Sequence, residues 1–355
     1  MGTTGADTMS NLHRFPGRPK PVLITGGAGF LGSNLADRLA SDGLPVLVFD
    51  SLERPGAERN LTWLKQRHGG LIAVSVADIR DEDAVDHAVR DAEAVFHLAA
   101  QASVAASLAD PAADLAINAQ GTLNVLEALR RRAEPPPLLF ASTGMVYGAA
   151  GPSDRAPLMG CAEDAPLRPR TPFGCSMAAA EQYVLSYARS FELPAVVLRM
   201  GCVYGPRQFG SEDEGWIARS LSLALAGEPI PVHGDGHQAG DALYVEDAVD
   251  AWLGAWVGIE AVRGRAFNLG GGARNTLTQI ELLEWIPGLT GRVPTAQFAG
   301  ARPGYHLAQV LDTRALADAI GWQPRVDLPQ GLGLFARWLA DQVVLPAARR
   351  QGVPA

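Results

Sequence analysis

The sequence predicts an α/β protein, a Rossmann-type doubly wound parallel sheet with a smaller α/β lobe on its C-terminal side. Short apolar strands alternate with amphipathic helices from residue 21 to residue 204, the pattern of a parallel sheet covered by helices. A glycine-rich turn joins the first strand to the first helix. After residue 205 the alternation becomes irregular, as expected for a lobe folded over the open edge of the sheet.

The composition agrees with such a fold and argues against other classes of protein. The 355 residues are 47% hydrophobic and carry a formal net charge of −8, so nucleic acid and anionic membranes are poor partners. No apolar run approaches membrane-spanning length. The cysteines, Cys161, Cys175 and Cys202, show no metal-ligand spacing. We therefore expect no metal, no membrane contact and a cytoplasmic protein.

The first strand and helix, PVLITGGAGFLGSNLADRLA, predict a dinucleotide site. Glycine reaches the backbone angles of such a turn cheaply and lets a pyrophosphate approach the main chain, and the helix N-terminus attracts the phosphate. Asp50 ends the next strand, PVLVFD, where a carboxylate binds the adenosine ribose hydroxyls and repels a 2′-phosphate. We therefore expect NAD. The contacts expected at the turn are Gly26, Gly29, Phe30, Leu31 and Gly32.

Later strands carry further cofactor candidates at their carboxyl ends, the edge where ligands bind in open parallel sheets. The third strand, LIAVSVADIR, ends at Asp78, which could accept from the adenine amino group while Ile79 packs on the ring. A helix N-cap is the alternative role for Asp78. The fourth strand, AVFHLAAQ, contains His97, expected to be a satisfied core histidine. The other expected cofactor contacts are Leu98, Ala99, Ala100, Gln101, Asn118, Ser142, Met177 and Met200.

Two long helices and a loop are expected around this edge. One helix begins at Asp110-Pro111 and runs to Arg132, and the second runs from Gly174 to Phe191. The proline-rich segment 152–170 between them lacks periodicity and is long enough to be a lid. We divide the chain into a flexible lead (1–20), a nucleotide-binding domain (21–204), a substrate lobe (205–345) with possible returns to the main sheet, and a flexible tail (346–355).

These motifs resemble the extended short-chain dehydrogenase/reductase superfamily, in its nucleotide-sugar epimerase and dehydratase group. The resemblance rests on TGGAGFLG, ADIR, HLAAQ, STGMVYG, LRMGCVYGPRQFG and GDGHQAGDALYVEDAV. Two stretches, FGCSMAAAEQYVLSYARSFELP and RQFGSEDEGW, are similar to the CDP-tyvelose (CDP-paratose) 2-epimerase branch. The resemblance covers residues 21–338 and implies bound NAD, a small-molecule substrate that could be a nucleotide sugar, and a homodimer. The dimer faces expected on the two long helices include Leu115, Leu123, Leu126, Val184, Leu185 and Tyr187.

The resemblance also implies a catalytic set that this chain lacks in part. The superfamily uses a Ser or Thr and a Tyr-x-x-x-Lys pair, in which the phenolate removes a hydroxyl proton while hydride leaves the same carbon for NAD. The lysine lowers the pKa of the phenol. Thr143 matches the first position, but Phe173 occupies the tyrosine position and Met177 the lysine position. These side chains preserve volume and remove the proton chemistry, so ordinary hydride transfer is predicted to be disabled.

The replacement base and the substrate class stay open. Tyr147, Cys175, Glu163, Asp164 or a substrate group could supply a base. Gly240 replaces the arginine that grips the substrate diphosphate in the family, whereas Arg207 and Arg302 remain as candidates for a diphosphate or as surface arginines. The expected substrate contacts are Ser103, Thr143, Phe173, Arg207, Gln208 and Arg302.

Three functions are compatible with these residues. We favour an atypical epimerase-like or dehydratase-like enzyme that binds NAD and acts on a sugar or sugar-derived metabolite in biosynthesis. The alternatives are a redox-neutral lyase or cyclase that acts on a non-nucleotide metabolite, and a non-catalytic dinucleotide-binding sensor.

Overall fold

A seven-stranded parallel sheet lies at the centre of the protein. The computed structural model describes residues 20–148, 160–211, 214–300 and 308–348. Its strands, in chain order, are β1 (Val22–Thr25), β2 (Val46–Asp50), β3 (Ile72–Val76), β4 (Ala94–His97), β5 (Leu138–Thr143), β6 (Ala195–Met200), β7 (Cys202–Tyr204), β8 (Ile230–His233), β9 (Ala239–Tyr244), β10 (Ala266–Leu269), β11 (Thr276–Thr278), β12 (Ala296–Ala299) and β13 (Ala308–Gln309).

The strand order of the main sheet is β3-β2-β1-β4-β5-β6-β10. Residue Val22 of β1 pairs with Val46 on one side and Ala94 on the other, so the chain reverses its direction of winding between β1 and β4. A crevice at such a switch point is where open α/β sheets bind ligands. The fold predicted from the sequence is therefore confirmed, and the carboxyl ends of β1, β2, β4 and β5 define the candidate site.

Helices cover both faces of the sheet. They are α1 (Phe30–Ser41), α2 (Ala57–His68), α3 (Glu82–Val89), α4 (Val104–Ala109), α5 (Pro111–Leu115), α6 (Gly121–Arg130), α7 (Pro172–Ser190), α8 (Trp216–Ala226), α9 (Val245–Val257), α10 (Ile259–Val262), α11 (Gln279–Thr290), α12 (Arg314–Ile320) and α13 (Leu328–Ala348). Because strand residues alternate between faces, Val22 and Ile24 join one core with α1, α2 and α9, whereas Leu23 joins the other with α3, α6 and α7.

A second sheet of four strands and a two-stranded sheet form the lobe. In the four-stranded sheet β9 pairs with β7, β11 and β13, and β8 pairs with β12 in the smaller one. A third apolar core joins them to α8, α11 and α13. The strand β10 returns to the main sheet beside β6, and the division at residue 204 stays a prediction. No helix in the described ranges is both long and apolar enough to span a bilayer.

Several elements differ from those expected. Strands β3 and β4 end at Val76 and His97, before the residues where the sequence placed their ends. The next residues bond to the ends of neighbouring strands: the Ala77 N–H donates to the Asp50 carbonyl and the Leu98 N–H donates to the Thr25 carbonyl. The helix expected from Asp110 to Arg132 is interrupted by a π-helical segment, Ala116–Gln120, and the separate helix α4 precedes it. Single π-helical turns inside α-helices occur frequently at functional sites.

Candidate functional site

The glycine turn between β1 and α1 has the geometry of a phosphate cradle. Gly26 has φ of +68°, and a Cβ on it would lie 2.8 Å from the main chain after β4. A Cβ on Gly32 would collide with the Gly26 carbonyl oxygen, whereas a Cβ on Gly29 would meet only that oxygen, at 3.1 Å. No side chain caps the start of α1, so its first N–H groups can bind an anion. Leu31 is buried in the core and Phe30 packs against it.

A Gly32→Ala substitution is expected to abolish most NAD binding. The added methyl group overlaps the Gly26 carbonyl oxygen, so α1 must move away from the turn and the cradle must open. We expect the NAD dissociation constant to rise by at least about tenfold, the effect of a single charge-assisted hydrogen bond to the phosphates. Calorimetric titration with NAD measures it. Gly288→Ala in α11 is the control, because its Cβ meets nothing within 4 Å; unchanged binding in Gly32→Ala would contradict the cradle.

Asp50 lies at the carboxyl end of β2 and faces the glycine turn. Its two carboxylate oxygens accept hydrogen bonds from the Ala28 N–H at 2.9 Å and the Leu52 N–H at 2.8 Å. Leu52 has φ of +62°, an unfavourable backbone angle for a branched residue. Arg54, the nearby cation that would attract a 2′-phosphate, is paired with Glu214. This arrangement agrees with ribose recognition and with NAD rather than NADP.

The adenine-side expectation at Asp78 is only partly supported. Its carboxylate forms a bidentate pair with Arg80, at 2.9 and 2.6 Å, and this hydrogen-bonded pair lowers the pKa of Asp78. Ile79 is buried against Gly121 of α6, which leaves little of its surface for a ring. The alternative role of Asp78 as a helix N-cap is wrong, since Asp81 caps α3 instead.

His97 is a structural residue, as the sequence predicted. Its Nδ1 lies 2.6 Å from Thr25 Oγ1 and its Nε2 lies 3.0 Å from Thr122 Oγ1. Burial lowers the pKa of His97 to about 3, so the ring is neutral. The Thr25 oxygen also accepts from the N–H groups of Leu98 and Ala99, which fixes the segment after β4 across the switch point.

Asn118 clamps the rest of that segment from the π-helical turn. Its side chain accepts from the Gln101 N–H at 2.8 Å and donates to the Gln101 carbonyl at 3.0 Å, and it also donates to Ser176 Oγ at 2.9 Å. Ser103, expected to bind substrate, is the N-cap of α4, a helix that the sequence did not reveal. Leu98, Ala99, Ala100 and Gln101 are partly buried, so this edge retains surface for a cofactor.

The two hydroxyl residues at the carboxyl end of β5 have different surroundings. Thr143 is partly buried and its Oγ1 accepts from the Met145 N–H at 3.2 Å. Ser142 is fully buried, and its hydroxyl donates to Glu181 at 2.7 Å. Its side chain faces α7, and the expected contact of Ser142 with the cofactor stays a prediction. Met200, at the end of β6, is partly buried.

Phe173 and Met177 lie one turn apart on the inner face of α7, with 6% and 3% of their surfaces exposed. Both belong to the apolar core that includes Tyr147. Thr171 caps the helix by accepting from its first turn. Cys175 is exposed, because two residues correspond to about 200° around a helix. Its side chain therefore points away from the face that carries Phe173, and its role as a base stays a prediction without support from this geometry.

Tyr147 is part of a buried network below the site. Its hydroxyl donates to Asn268 Oδ1 at 2.7 Å and accepts from Arg199 Nη1 at 2.7 Å. Burial raises the pKa of Tyr147 to about 12, which argues against Tyr147 as a replacement base; that role stays a prediction. Arg199 also pairs with Glu181, with bonds of 3.1 and 2.8 Å. Sequence reasoning missed this pair, although an arginine inside the apolar strand AVVLRM requires a buried partner.

Arg207 lies on the α2 side of the loop after β7. Its guanidinium stacks over Trp63, 3.4 Å from the ring centroid, and lies 5.5 Å from the centroid of Trp338. These rings are the contacts of its guanidinium among the described residues, and the expected contact with a diphosphate stays a prediction. The Gln208 side chain donates to the Val203 carbonyl at 3.2 Å. Arg302 lies outside the described residues.

The comparisons with known proteins agree with this architecture. A family model described as NAD dependent epimerase/dehydratase family matches residues 22–270. The chain belongs to this family. It is 34% identical over 337 residues to a CDP-paratose 2-epimerase of Salmonella typhi, covering 90% of this chain and 99% of the relative. It is 33% identical over 312 residues to a UDP-glucose 4-epimerase of Mycolicibacterium smegmatis, covering 88% and 96%.

Solved structures of the epimerase/dehydratase family extend the similarity to three dimensions. A UDP-glucose 4-epimerase of Thermotoga maritima, solved with UDP-glucose, has a TM-score of 0.81 and 32% identity, covering 91% of this chain and 99% of the other. A UDP-glucose 4-epimerase of Thermus thermophilus, solved with NAD, has a TM-score of 0.78 and 33% identity, covering 94% and 100%. The resemblance stated from the motifs is confirmed, and so is the assignment of NAD as the cofactor.

The residues present fit NAD on structural grounds. The turn at Gly26, Gly29 and Gly32 leaves room that a Cβ would fill, and Asp50 closes its ribose side. NAD supplies a hydride acceptor at its nicotinamide ring when bound. The protein contributes the phosphate cradle, the ribose carboxylate and the clamped segment after β4. Within the described ranges, no cluster of His, Cys, Asp and Glu could hold a metal ion.

Proposed function

We propose that this protein is an atypical NAD-binding enzyme of the epimerase/dehydratase family that acts on a sugar-derived metabolite without the Tyr/Lys proton route. The burial of Phe173 and Met177 in the apolar core carries the proposal. A proton-transferring pair has been replaced by side chains that pack, so the seat for cofactor and ligand persists while its general base is absent.

The alternative bases support a redox-neutral reaction over ordinary epimerisation. Tyr147 is held by Asn268 and Arg199, and Cys175 and Asp164 are exposed. Glu163 accepts from the Asn268 N–H at 2.8 Å, so its carboxylate is occupied at the end of β10. Among these four candidates none is paired with Thr143 or Phe173. The proposed enzyme therefore binds its substrate beside oxidised cofactor and performs an elimination, a cyclisation or a related step, in which a group of the substrate accepts the proton.

Identification of the natural ligand tests this proposal. Small molecules that co-purify with the protein are released by denaturation and identified by mass, and each sugar-derived candidate is then incubated with the NAD-loaded protein. Product formation without transient NADH is the expected result. Transient NADH would overturn the redox-neutral assignment, and binding without any product would favour a non-catalytic sensor. A Gly32→Ala chain, whose cradle is blocked, serves as the control for cofactor dependence.

Gly240→Arg is expected to strengthen binding of nucleotide sugars. A Cβ at Gly240 meets only Cys202 Cβ, at 3.7 Å, so β9 accepts a side chain there without strain. An arginine at that position would add a charge-assisted contact to a diphosphate, worth about 1.5–3 kcal/mol, or about 10- to 100-fold in the dissociation constant. Calorimetry with UDP-glucose and CDP-glucose measures it, and Gly240→Gln is the uncharged control. Sub-micromolar binding by the unaltered chain would contradict a drift in substrate class.

A homodimer through α6 and α7 is the expected assembly, with a face that differs from the one first predicted. Leu126, Val184 and Leu185 are buried within the subunit and cannot form an interface. Leu115, on α5 just before the π-helical segment, and Tyr183, on α7, are 53% and 48% exposed. We expect a dimeric mass by light scattering at micromolar concentration and a monomeric mass for Leu115→Asp/Tyr183→Asp. Val293→Asp, which alters an exposed apolar residue outside these helices, is the control; a monomeric unaltered chain would contradict the dimer.

The cytoplasmic location of the protein stays a prediction.

A further inference from the structure

Asp114 is a buried carboxylate beside the cofactor seat that no step above uses. It lies on α5 with 1% of its surface exposed. Its Oδ1 accepts from Gln101 Nε2 at 2.8 Å and from Asn118 Nδ2 at 3.2 Å. Its Oδ2 is buried and has no hydrogen-bond partner among the described residues. Burial raises the pKa of Asp114, and hydrogen bonding with Ser176 and Gln101 opposes part of that shift.

The residues around Asp114 belong to the cofactor seat, the surface at the carboxyl ends of β1 and β4 where NAD is expected to bind. Gln101 and Asn118, which hold its Oδ1, are the residues that clamp the segment after β4. Asn118 also bonds to Ser176, the residue before Met177. Among the described residues Asp114 has no ion pair, and the position after Ser176 carries a neutral thioether. The seat therefore contains a buried carboxylate with no positive side chain bonded to it among the described residues.

We propose that Asp114 biases the bound cofactor toward its oxidised form. The nicotinamide ring is positively charged in NAD⁺ and neutral in NADH, so a nearby anion in a low-dielectric site binds NAD⁺ more tightly. Charges about 10 Å apart, at an effective dielectric constant of about 20, change an equilibrium constant on the order of tenfold. Asp114 is a positioning residue that acts by its charge and by holding Gln101 and Asn118.

This inference deepens the proposed function and rests on it in one respect, that NAD occupies the seat formed by β1 and β4. A cofactor held as NAD⁺ suits an enzyme that never cycles through NADH. The bias opposes hydride removal from a substrate, so it acts in the same direction as the loss of the tyrosine and lysine. The two effects arise from different residues and can be separated.

The test is the ratio of the dissociation constants for NADH and NAD⁺, measured by calorimetry after co-purified dinucleotide is removed. A change that weakens both forms equally cancels in this ratio, so damage to the fold does not imitate the effect. Asp114→Asn keeps the size and an acceptor for Gln101 and removes the charge. We expect it to lower the ratio on the order of tenfold. Asp110→Asn, at the N-cap of the same helix, is the control and should leave the ratio unchanged.

Two further variants keep the inference testable if Asp114→Asn does not fold. Asp114→Glu keeps the charge and should keep the ratio near that of the unaltered chain, whereas Asp114→Ser removes the charge and should lower it. A ratio that stays within about twofold in Asp114→Asn, or in Asp114→Ser if the former is insoluble, overturns the inference. If the unaltered chain binds neither cofactor form, the proposed function fails as well; if it binds both and the ratio does not respond, only the role of Asp114 fails.

Discussion

Mixing the NAD-loaded protein with a UDP- or CDP-sugar is expected to produce no NADH by the Tyr/Lys route of the family. Phe173 has no ionisable group, and a neutral Thr143 hydroxyl that already accepts from Met145 is a poor base. A missing general base lowers the rate by about 10²- to 10⁴-fold, and the lysine that would tune such a base is absent too. Stopped-flow absorbance of NADH and migration of deuterium from a labelled sugar measure the step.

Restoring the tyrosine and the lysine tests whether the missing base or a changed substrate site accounts for the absence of hydride transfer. Phe173→Tyr/Met177→Lys is expected to bind NAD more tightly, because the lysine can hold the nicotinamide ribose. It should not gain epimerase activity on nucleotide sugars, because Gly144, Met145 and Gly240 have also altered the site. Combined with Gly240→Arg, it should form NADH from nucleotide sugars. Phe191→Tyr, on the exposed residue that ends α7, is the control. Epimerisation of such a sugar by the unaltered chain would contradict the prediction.

The parts of the site predicted from sequence are those set by short segments of chain. The glycine turn and Asp50 follow from local backbone geometry and from the length of one strand–helix–strand unit, and the structure brings them together through the Ala28 N–H. Helical periodicity places Cys175 on the face of α7 opposite Phe173, so its closeness in sequence to the lost tyrosine does not imply closeness in space.

Other parts depend on pairings between distant segments and could not be read locally. Tyr147 lies within a conspicuous VYG turn, but its role is fixed by Asn268 on β10 and Arg199 on β6, two strands that become neighbours only in the folded sheet. Asp114 lies in a helical stretch of sequence without a motif, and its burial becomes visible through the bond from Gln101. The partners of such polar groups lie far away along the chain, so their neighbours in sequence do not reveal them.

Arg199→Met is expected to lower the free energy of unfolding by about 3–5 kcal/mol, because it leaves a charged partner buried. Glu181 has no exposed surface, and Arg199 provides its two charged hydrogen bonds. In the variant, the side-chain donors left to Glu181 among the described residues would be the Ser142 hydroxyl and the neighbouring Gln182 amide. Burial alone would lower the pKa of Arg199, but its bonds and charge interaction with Glu181 raise it. Tyr147 also loses a donor. Urea denaturation followed by circular dichroism measures the change.

The paired substitution Arg199→Met/Glu181→Leu isolates the cost of the orphaned charge. Replacing both partners of a buried pair by apolar side chains is often nearly neutral, so the double variant should recover most of the stability that Arg199→Met loses. Arg130→Met is the matched surface control, since Arg130 pairs with Glu127 at 2.7 Å but is 43% exposed, and such pairs contribute about 0.2–1 kcal/mol. Equal losses of unfolding free energy in Arg199→Met and Arg130→Met would mean that the buried pair is solvated. A double variant less stable than Arg199→Met would mean that the Ser142 hydroxyl, rather than the arginine, holds Glu181.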